Sequence, residues 1–259
     1  MDQQLPNLTP EDHAIYEWQM WVDGFGELGQ QRLKGATVLV SRIGGLGGVV
    51  AWELAAAGVG KLLLAHAGNI KPSDLNRQLL MNYEAIGKSR VETANNSLKE
   101  FNPAIEIEAI PENINSGNAH KLVEQVDLAV GCAPLFEERL ALNHACVELR
   151  KPLVDCAMYE LTFQVTTIQP GQTACLACRV PAPPPEWKRQ FPVIGAVSGI
   201  AGCIGATEAI KLITKIGDPL YNKLLMGDCR TNRFQQIQLQ KNPTCPVCGQ
   251  LQESSISES

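Results

Sequence analysis

Short β-branched runs alternate with longer stretches of helical periodicity along this chain. The first run, residues 36–41, leads into a segment in which four of five residues are glycine, residues 44–48, and a helical stretch follows over residues 49–57. A strand, a glycine-rich turn and a helix in this order are typical of a place where backbone approaches phosphate. The pattern therefore predicts a phosphate-type turn near the start of the ordered chain.

The alternation continues through the middle of the chain. Apolar runs predict four further strands, at residues 61–66, 105–110, 126–131 and 152–156. A polar helix is predicted at residues 88–101, because Asn102-Pro103 stops it. Strands that alternate with helices form a mostly parallel sheet covered on both faces, so the predicted fold class is α/β and Rossmann-like. Three later runs with strand character predict antiparallel additions to the sheet: residues 161–168, 223–229 and 234–239.

The remaining segments divide the chain into three parts. A helical segment is predicted at residues 11–33, a long helix with small residues at 195–214, and a surface crossing at 179–192, where five prolines exclude helix and inner strand. Residues 253–259 are short, polar and predicted to be disordered. We therefore expect an N-terminal helical part (1–34), one nucleotide-binding-like domain (35–250) and a tail (251–259).

Composition and charge narrow the class of protein. The chain has 259 residues, of which 45% are hydrophobic and 19% charged, and a net charge of -5. Lysines and arginines are scattered, which disfavours nucleic-acid binding. The first dozen residues contain no secretory signal pattern, and the uncharged run at residues 192–207 is too short to span a bilayer. We expect a cytoplasmic protein without nucleic-acid or membrane partners.

Two Cys-x-x-Cys pairs, Cys175/Cys178 and Cys245/Cys248, are the strongest candidate for metal binding. A two-residue spacing lets one tight turn direct both sulfurs at a metal ion, and two such turns complete the tetrahedral site that Zn²⁺ prefers. A single pair can also be redox-active, and unligated thiols are the other alternative. The sequence favours structural zinc. The other cysteines lie singly in apolar surroundings, as reduced buried thiols do: Cys132, Cys146, Cys156, Cys203 and Cys229.

Several strings occur together in this chain: Val38-Leu39-Val40, Gly44-Gly45-Leu46-Gly47, Ala57-Gly58-Val59-Gly60, Asn76-Arg77-Gln78, Gly87-Lys88 and Glu208-Ala209-Ile210-Lys211. With the paired cysteines, they resemble the ThiF/MoeB/HesA family, the prokaryotic relatives of ubiquitin-activating enzymes, over residues 16–249. The chain is most similar to the HesA branch, in residues 76–81 and 195–199.

The resemblance implies a homodimer with a zinc-stapled sheet. It also implies a reaction in which ATP adenylates the C-terminal glycine carboxylate of a small ubiquitin-like sulfur-carrier protein, for sulfur transfer in cofactor or metallocluster biosynthesis. ATP and Mg²⁺ are then the expected cofactors besides zinc. Because residues 179–192 contain no cysteine, the resemblance implies direct release from the acyl-adenylate, as in MoeB, rather than covalent capture, as in ThiF.

The resemblance also assigns candidate residues. Gly45 and Gly47 match glycines that admit the nucleotide, and Arg77 matches an arginine that clamps phosphate. Arg90 stands where relatives have a phosphate-neutralising lysine, so Arg77 and Arg90 are the candidate catalytic residues. The same ligand-facing loop contains Ser73, Asp74 and Asn76. From the residues alone, the glycines are also compatible with packing, Arg77 with a surface ion pair and Arg90 with a solvated helix position.

Four positions depart from the family pattern. Arg42 replaces the first glycine of the turn, and Pro134 stands where an aspartate holds Mg²⁺. His66 follows the second strand, where most relatives have an acidic pair that grips ribose; we expect a strand-end residue rather than a substitute ligand. Trp18 stands where relatives have an arginine that reaches the partner subunit's ATP.

Two functions from different classes fit these observations. The first is an active adenylyltransferase of the HesA/MoeB type. The second is a catalytically degenerate, zinc-stabilised dimeric scaffold that binds a partner protein without ATP turnover. A third and weaker interpretation, an NAD-binding dehydrogenase, lacks the acidic residue after the second strand that such a site requires.

Overall fold

The structure is a computed structural model that describes residues 5–251, and its centre is one eight-stranded sheet. The strands in chain order are β1 Thr37–Ser41, β2 Lys61–Ala65, β3 Glu106–Ile110, β4 Leu128–Gly131, β5 Leu153–Tyr159, β6 Thr162–Ile168, β7 Lys223–Asp228 and β8 Arg233–Gln238. Their order in space is β3-β2-β1-β4-β5-β6-β7-β8. The tail predicted to be disordered lies outside the described residues, apart from its first position.

Strands β1 to β5 are parallel, and β6, β7 and β8 are antiparallel. The parallel strands β1, β2 and β4 are almost entirely buried, because connections between parallel strands place helices on both faces of the sheet. The predicted α/β class, the mostly parallel sheet and the antiparallel C-terminal strands are confirmed. Strand β8 lies at the edge and is exposed along its whole length.

Eight α-helices surround the sheet within residues 5–251: α1 Pro10–Met20, α2 Gly26–Gly35, α3 Gly45–Ala56, α4 Arg90–Phe101, α5 Ala119–Glu124, α6 Phe136–Glu148, α7 Leu176–Arg179 and α8 Gly195–Thr214. The helical segment predicted at residues 11–33 consists of two helices, α1 and α2. Gly24, between the two helices, has a φ angle of 74°, and Gly26, the first residue of α2, has a φ angle of 51°. Positive φ angles interrupt a right-handed helix.

Helix α6 was not predicted as an element, and it is central to the site. Its buried residues include Glu138 and Arg139 as well as Leu142 and Cys146. A helix that buries charged side chains among apolar ones has no clear apolar stripe, so its periodicity is weak. Helix α4, by contrast, begins close to the predicted start, where the Ser89 hydroxyl accepts a hydrogen bond from the Glu92 amide at 3.4 Å.

Helix α8 is the one helix within residues 5–251 that is long and apolar enough to cross a membrane. It packs as a core helix, with Val197, Ala201 and Ala209 buried. A Cβ atom at Gly202 would lie 2.8 Å from the Leu46 carbonyl oxygen of α3. Glycine is therefore required where α3 and α8 approach each other, and α3 in turn begins at the glycine-rich turn.

Candidate functional site

A cavity of 740 Å³ lies at the carboxyl ends of β1, β4 and β5. The connection from β1 leads to β2 on one side, whereas the connection from the adjacent strand β4 leads to β5 on the opposite side, and ligands of open α/β sheets bind at such a switch point. The backbone amide of Cys132 donates to the Ser41 hydroxyl at 3.0 Å, which joins the ends of β1 and β4 beneath the cavity. The fold thus places this cavity at the glycine-rich turn.

The turn itself has an unusual first residue. Arg42 adopts a φ of 62°, the left-handed conformation that glycine adopts without strain. The Gly44 amide donates to the Arg42 carbonyl at 2.8 Å and closes the turn. A Cβ atom at Gly47 would lie 2.3 Å from that same carbonyl oxygen. Gly47 therefore permits the close approach of α3 to the turn, whereas Gly45 lines the cavity.

The Arg42 side chain is held at the cavity wall by an ion pair. Its Nε and Nη2 atoms donate to the two carboxylate oxygens of Glu138 in α6, at 2.7 and 2.6 Å, and both side chains are buried. A bidentate pair of this kind fixes the planar guanidinium in one orientation. Arg42 borders the cavity but does not fill it, so the space beside Gly45 stays open.

On the opposite wall of the cavity, the Asp74 carboxylate accepts hydrogen bonds from several neighbouring groups. Its Oδ2 atom accepts hydrogen bonds from Arg90 Nη2 and Nε at 2.7 and 3.1 Å and from the Lys71 amide at 2.9 Å. Its Oδ1 atom accepts from Gln78 Nε2 at 2.9 Å. Burial alone would raise the pKa of Asp74, but the Lys71 amide and the Arg90 guanidinium outweigh it and lower that pKa. The carboxylate is ionised at neutral pH and fixes Arg90 and Gln78.

Arg90 is buried, which rules out the solvated helix position as its role. Its Nη1 atom donates to the Ala67 carbonyl at 3.3 Å, in addition to the Asp74 contacts. Arg77, in contrast, is more exposed: its guanidinium lies 3.4 Å from Asp74 and also contacts the Ser73 carbonyl and the Asn76 side chain. Arg77 is therefore the more accessible of these two arginines.

The structure brings most of the candidate residues to one cavity. Gly45, Ser73, Asp74, Asn76, Arg77 and Arg90 all line it, whereas Gly47 does not. Further lining cations are Arg42, Lys71, Arg139 and Arg189. The cavity is thus positively charged, and helix α3 points its N-terminus, which has no side-chain cap, toward it. Both features favour an anionic ligand.

Among the described residues that line the cavity, Asp74 is the only carboxylate. Both of its oxygens already accept two or more hydrogen bonds. At Pro134, the backbone carbonyl accepts a hydrogen bond from Trp187 Nε1 at 2.7 Å. Since Mg²⁺ requires oxygen ligands, usually carboxylates, the donor set of this cavity does not fit a protein-bound Mg²⁺ ion.

His66 lies directly after β2 and borders the same cavity as Gln78. Both are buried, with 5% and 6% exposure, and the His66 Nδ1 and Gln78 Oε1 atoms have no hydrogen-bond partner in the described part of the chain. Burial, with the positive charges of Arg42 and Arg90, lowers the pKa of His66 to about 3. The imidazole is neutral at physiological pH.

Sequence reasoning missed a second buried ion pair in this region. Arg139 Nη2 and Nε donate to Asp155 at 2.6 and 3.1 Å, and both side chains are 97% or more buried. Asp155 lies in β5 and Arg139 in α6, so no local spacing connects them.

Two thiols, Cys132 and Cys156, interact beside this ion pair. The Cys132 thiol is the main cause that raises the pKa of Cys156, and burial adds to it. Cys132 directly follows β4, and Cys156 lies in the middle of β5.

The crossing segment forms one rim of the cavity. Trp187 stacks edge-on against Phe136 of α6, with ring centroids 5.4 Å apart, and lies 5.9 Å from both Tyr159 and Phe191. Aromatic clusters of this kind provide large apolar contact areas. The predicted surface crossing of residues 179–192 thus follows α7 and passes over the carboxyl ends of the strands.

The four paired cysteines form a second site, away from the cavity. Their sulfur atoms all lie within 4.8 Å of one another, with Cys175 and Cys245 at 3.7 Å and Cys178 and Cys248 at 3.3 Å. Burial raises the pKa of the Cys175 thiol to about 11. Because thiolates are the ligating form, a bound metal ion would displace such protons. The cluster can hold one tetrahedral metal ion.

Comparison with known proteins identifies the family of this chain. The profile of the ThiF family matches residues 16–247. The chain belongs to the ThiF family. It is 48% identical to "Protein HesA, heterocyst" of Trichormus variabilis over 94% of this chain and 91% of that protein, and 45% identical to "Protein HesA" of Leptolyngbya boryana over 94% and 88%. The predicted resemblance to the HesA branch is confirmed.

More distant ThiF-family relatives carry names that describe an activity. An "Adenylyltransferase and sulfurtransferase MOCS3" of Drosophila persimilis is 38% identical over 93% of this chain, which spans 54% of that protein. Among solved structures, E. coli MccB with MccA-N7isoASN has a TM-score of 0.83 and 26% identity, over 94% of this chain and 76% of that one. MccB was also solved with AMPCPP and MccA, with a TM-score of 0.83 and 25% identity.

In this ThiF-family chain, Trp18 is not among the residues that line the cavity. Trp18 is 76% exposed on α1 and stacks on Trp21, with ring centroids 6.5 Å apart. Trp21 is 70% exposed. The two indoles form an apolar surface on the N-terminal helix.

Proposed function

We propose that this protein is an adenylyltransferase that activates the C-terminal glycine of a small ubiquitin-like sulfur-carrier protein. In this reaction the carboxylate attacks the α-phosphorus of ATP, pyrophosphate leaves, and an acyl-adenylate forms. Sulfur transfer for a cofactor or a metallocluster would then consume the acyl-adenylate. The cationic cavity of 740 Å³ at the switch point of the sheet is the observation that carries the proposal.

Each wall of the cavity has a part in the proposed reaction. The uncapped N-terminus of α3 and the guanidinium of Arg77 would bind phosphate oxygens and stabilise the negative charge that develops during transfer. Asp74 holds Arg90 at 2.7 Å, which makes Arg90 a positioning residue for this wall in our proposal. Ser73 and Asn76 orient Arg77.

Protein cations would carry the charge neutralisation that Mg²⁺ provides elsewhere. Asp74, the one carboxylate among the lining residues within the described range 5–251, is engaged by Arg90, Gln78 and the Lys71 amide, and Pro134 supplies no side-chain ligand. Mg²⁺ that arrives with ATP would be held by the phosphates and water. We therefore expect ATP affinity to depend less on Mg²⁺ than in a site with a free aspartate.

Features outside the cavity support proposals for a metal ion, an oligomeric state and a release route. We propose that the four-cysteine cluster binds zinc, because two-residue spacing and four thiolates fit its tetrahedral preference. A homodimer is proposed, with the exposed Trp18–Trp21 surface as a candidate contact region. Since residues 179–192 contain no cysteine, direct release from the acyl-adenylate is the proposed route. We also expect a cytoplasmic location.

ATP–pyrophosphate exchange tests the proposal. The full chain would be incubated with ATP, labelled pyrophosphate and carrier proteins that end in Gly-Gly, with a carrier lacking its last glycine as the control. Exchange that requires the intact carrier terminus supports the proposed activity. No exchange with any such carrier, at ATP concentrations that saturate binding, would contradict it.

A dimeric scaffold without ATP turnover is the second candidate function. Pro134 in place of a metal-binding aspartate and the full engagement of Asp74 favour it, since transferring an adenylyl group without a protein ligand for the metal ion costs transition-state stabilisation. The two candidates differ in one result. A scaffold would bind carrier protein without exchange, whereas the adenylyltransferase would catalyse exchange.

A further inference from the structure

The side chain of Asn143 connects α6 to the four-cysteine cluster. Asn143 is fully buried on α6, and its Oδ1 atom accepts a hydrogen bond from the Leu176 backbone amide at 2.9 Å. Leu176 is the first residue of α7 and directly follows Cys175, one of the four cysteines of the cluster. The amide group of Asn143 therefore lies next to a residue of the cluster.

The other end of this amide group is a hydrogen-bond donor without a partner. A backbone N–H only donates, so the Asn143 atom that accepts from Leu176 must be the oxygen, and the remaining atom is the Nδ2 amino group. Nδ2 makes no hydrogen bond of normal geometry with any described residue. Buried polar groups of this kind are rare because each costs free energy. An acceptor that forms beside Nδ2 would remove that cost.

The Cys175 sulfur is the acceptor that this donor contacts. Burial is the largest influence on the pKa of the Cys175 thiol and raises it, whereas a contact from the Asn143 side chain lowers it. The contact falls short of a full hydrogen bond, and a protonated sulfur accepts only weakly. Metal binding converts a cysteine to its thiolate, and hydrogen bonds to charged acceptors are the stronger ones. A bound metal ion would therefore complete the contact.

Another sulfur of the cluster has an N–H donor from the backbone. The Asn242 amide donates to Cys178 Sγ at 3.4 Å. Four thiolates more than neutralise one Zn²⁺ ion, so a buried cluster of this kind carries excess negative charge, which N–H donors offset. The donor of Asn143 belongs to a side chain, so a substitution can remove it without changing a metal ligand.

We propose that Asn143 is a positioning residue of the metal site, and that its Nδ2 amino group donates a hydrogen bond to the metal-bound Cys175 thiolate. The inference rests on the proposed zinc binding of the four-cysteine cluster. The two ends of the Asn143 amide then fix both the start of α7 and the sulfur that precedes it. Asn143 acts on the metal ion through Cys175 and is not itself a ligand.

Two substitutions in the full chain separate the Nδ2 donor from the Oδ1 acceptor. Asn143→Asp keeps an oxygen for the Leu176 amide but replaces the donor by a second oxygen, which repels a thiolate at about pH 8, where carboxylates are ionised. Asn143→Leu has a similar volume and no polar group. We expect both variants to bind zinc roughly ten- to hundredfold more weakly than the unchanged chain. Competition with a chromogenic chelator measures these affinities.

Cobalt substitution gives a signal that a merely structural role would not move. Co²⁺ bound to thiolates absorbs through a sulfur-to-metal charge-transfer band. Loss of a hydrogen bond to the sulfur lowers the energy of this band, because the sulfur then holds its electrons less tightly. We expect the band at longer wavelength in both variants than in the unchanged chain. Leu142→Ala is the matched control: Leu142 is buried on α6, and its truncation should lower the melting temperature without shifting the band.

The outcomes separate this inference from the proposed zinc site. A band that shifts in both variants, together with weaker zinc binding, supports the hydrogen bond. An unshifted band in Asn143→Leu overturns it. A shift in Asn143→Leu but not in Asn143→Asp assigns the effect to the Leu176 contact and overturns it as well. If the unchanged chain binds neither zinc nor cobalt, the zinc site and the inference both fail. Melting temperatures of the metal-free proteins show whether each variant is folded before metal is added.

Discussion

The Arg42 guanidinium and the Glu138 carboxylate form a buried bidentate ion pair, with N–O distances of 2.7 and 2.6 Å. The pair connects the first residue of the glycine-rich turn to the first turn of α6. It accommodates an arginine in the left-handed backbone conformation of this position by drawing the side chain to the wall. The cavity consequently remains available for a ligand.

Glu138→Ala is expected to lower the free energy of unfolding by about 3–5 kcal/mol, because it leaves the Arg42 charge buried without a partner. The double substitution Arg42→Gly with Glu138→Ala should cost less than Glu138→Ala alone, since glycine adopts the positive φ of this position without strain. Denaturant unfolding of the unchanged chain, of Glu138→Ala and of the double variant measures the three free energies of unfolding. A double variant as unstable as Glu138→Ala would show that the pair is not the cause.

Arg77→Ala should weaken ATP binding roughly tenfold to a hundredfold, because a charged guanidinium no longer contacts phosphate. Its stability should change little, since the side chain is partly exposed. Arg230→Ala is the matched control, as Arg230 is an exposed arginine paired with Glu160 outside the cavity. Titration calorimetry with ATP measures the affinity of both variants. Equal affinities for Arg77→Ala and the unchanged chain would exclude Arg77 from the nucleotide site.

Stability should fall as pH falls from about 6.5 toward 3, partly through His66. The pKa of His66 is about 3 in the folded chain and near 6.5 when unfolded, so the unfolded state binds one more proton in this window. One such proton changes the free energy of unfolding by about 1.4 kcal/mol per pH unit. The folded-state pKa is set by burial, by Arg42, Arg90 and Arg189, and by Asp74, which opposes them.

His66→Phe removes that titration, so its stability should depend less steeply on pH between 6 and 4.5 than the stability of the unchanged chain. Urea unfolding of both proteins at several pH values measures the two slopes. Asp74 adds acid sensitivity only below its ordinary pKa of 3.8, because its pKa is lowered in the fold. Parallel slopes for His66→Phe and the unchanged chain would contradict a neutral, buried imidazole.

Zinc removal should lower the melting temperature by about 10 °C or more, since structural zinc contributes folding free energy. Cys178→Ala, which removes one cluster ligand, should have the same effect and should lower the zinc content from about one ion per chain. Cys203→Ala is the matched control, because Cys203 is exposed and lies outside the cluster. Metal analysis and thermal melts measure both. An unchanged melt after chelation would contradict structural zinc.

Local pattern was enough to predict the parallel sheet, the glycine-rich turn and the cysteine pairs, because each depends on residues close in sequence. The partners of the cavity side chains could not be predicted in this way. Glu138 lies 96 positions from Arg42, and its helix has no clear apolar stripe. His66 was expected to be a strand-end residue without a ligand role; its burial and its neighbour Gln78 arise only from the tertiary fold.

Titration calorimetry of the full chain with ATP, with and without Mg²⁺, tests the central claim most directly. The account predicts binding in the micromolar range, and an affinity that changes by less than about threefold when Mg²⁺ is replaced by a chelator, because protein cations neutralise the phosphates. Absence of binding under both conditions would contradict a nucleotide cavity at the glycine-rich turn.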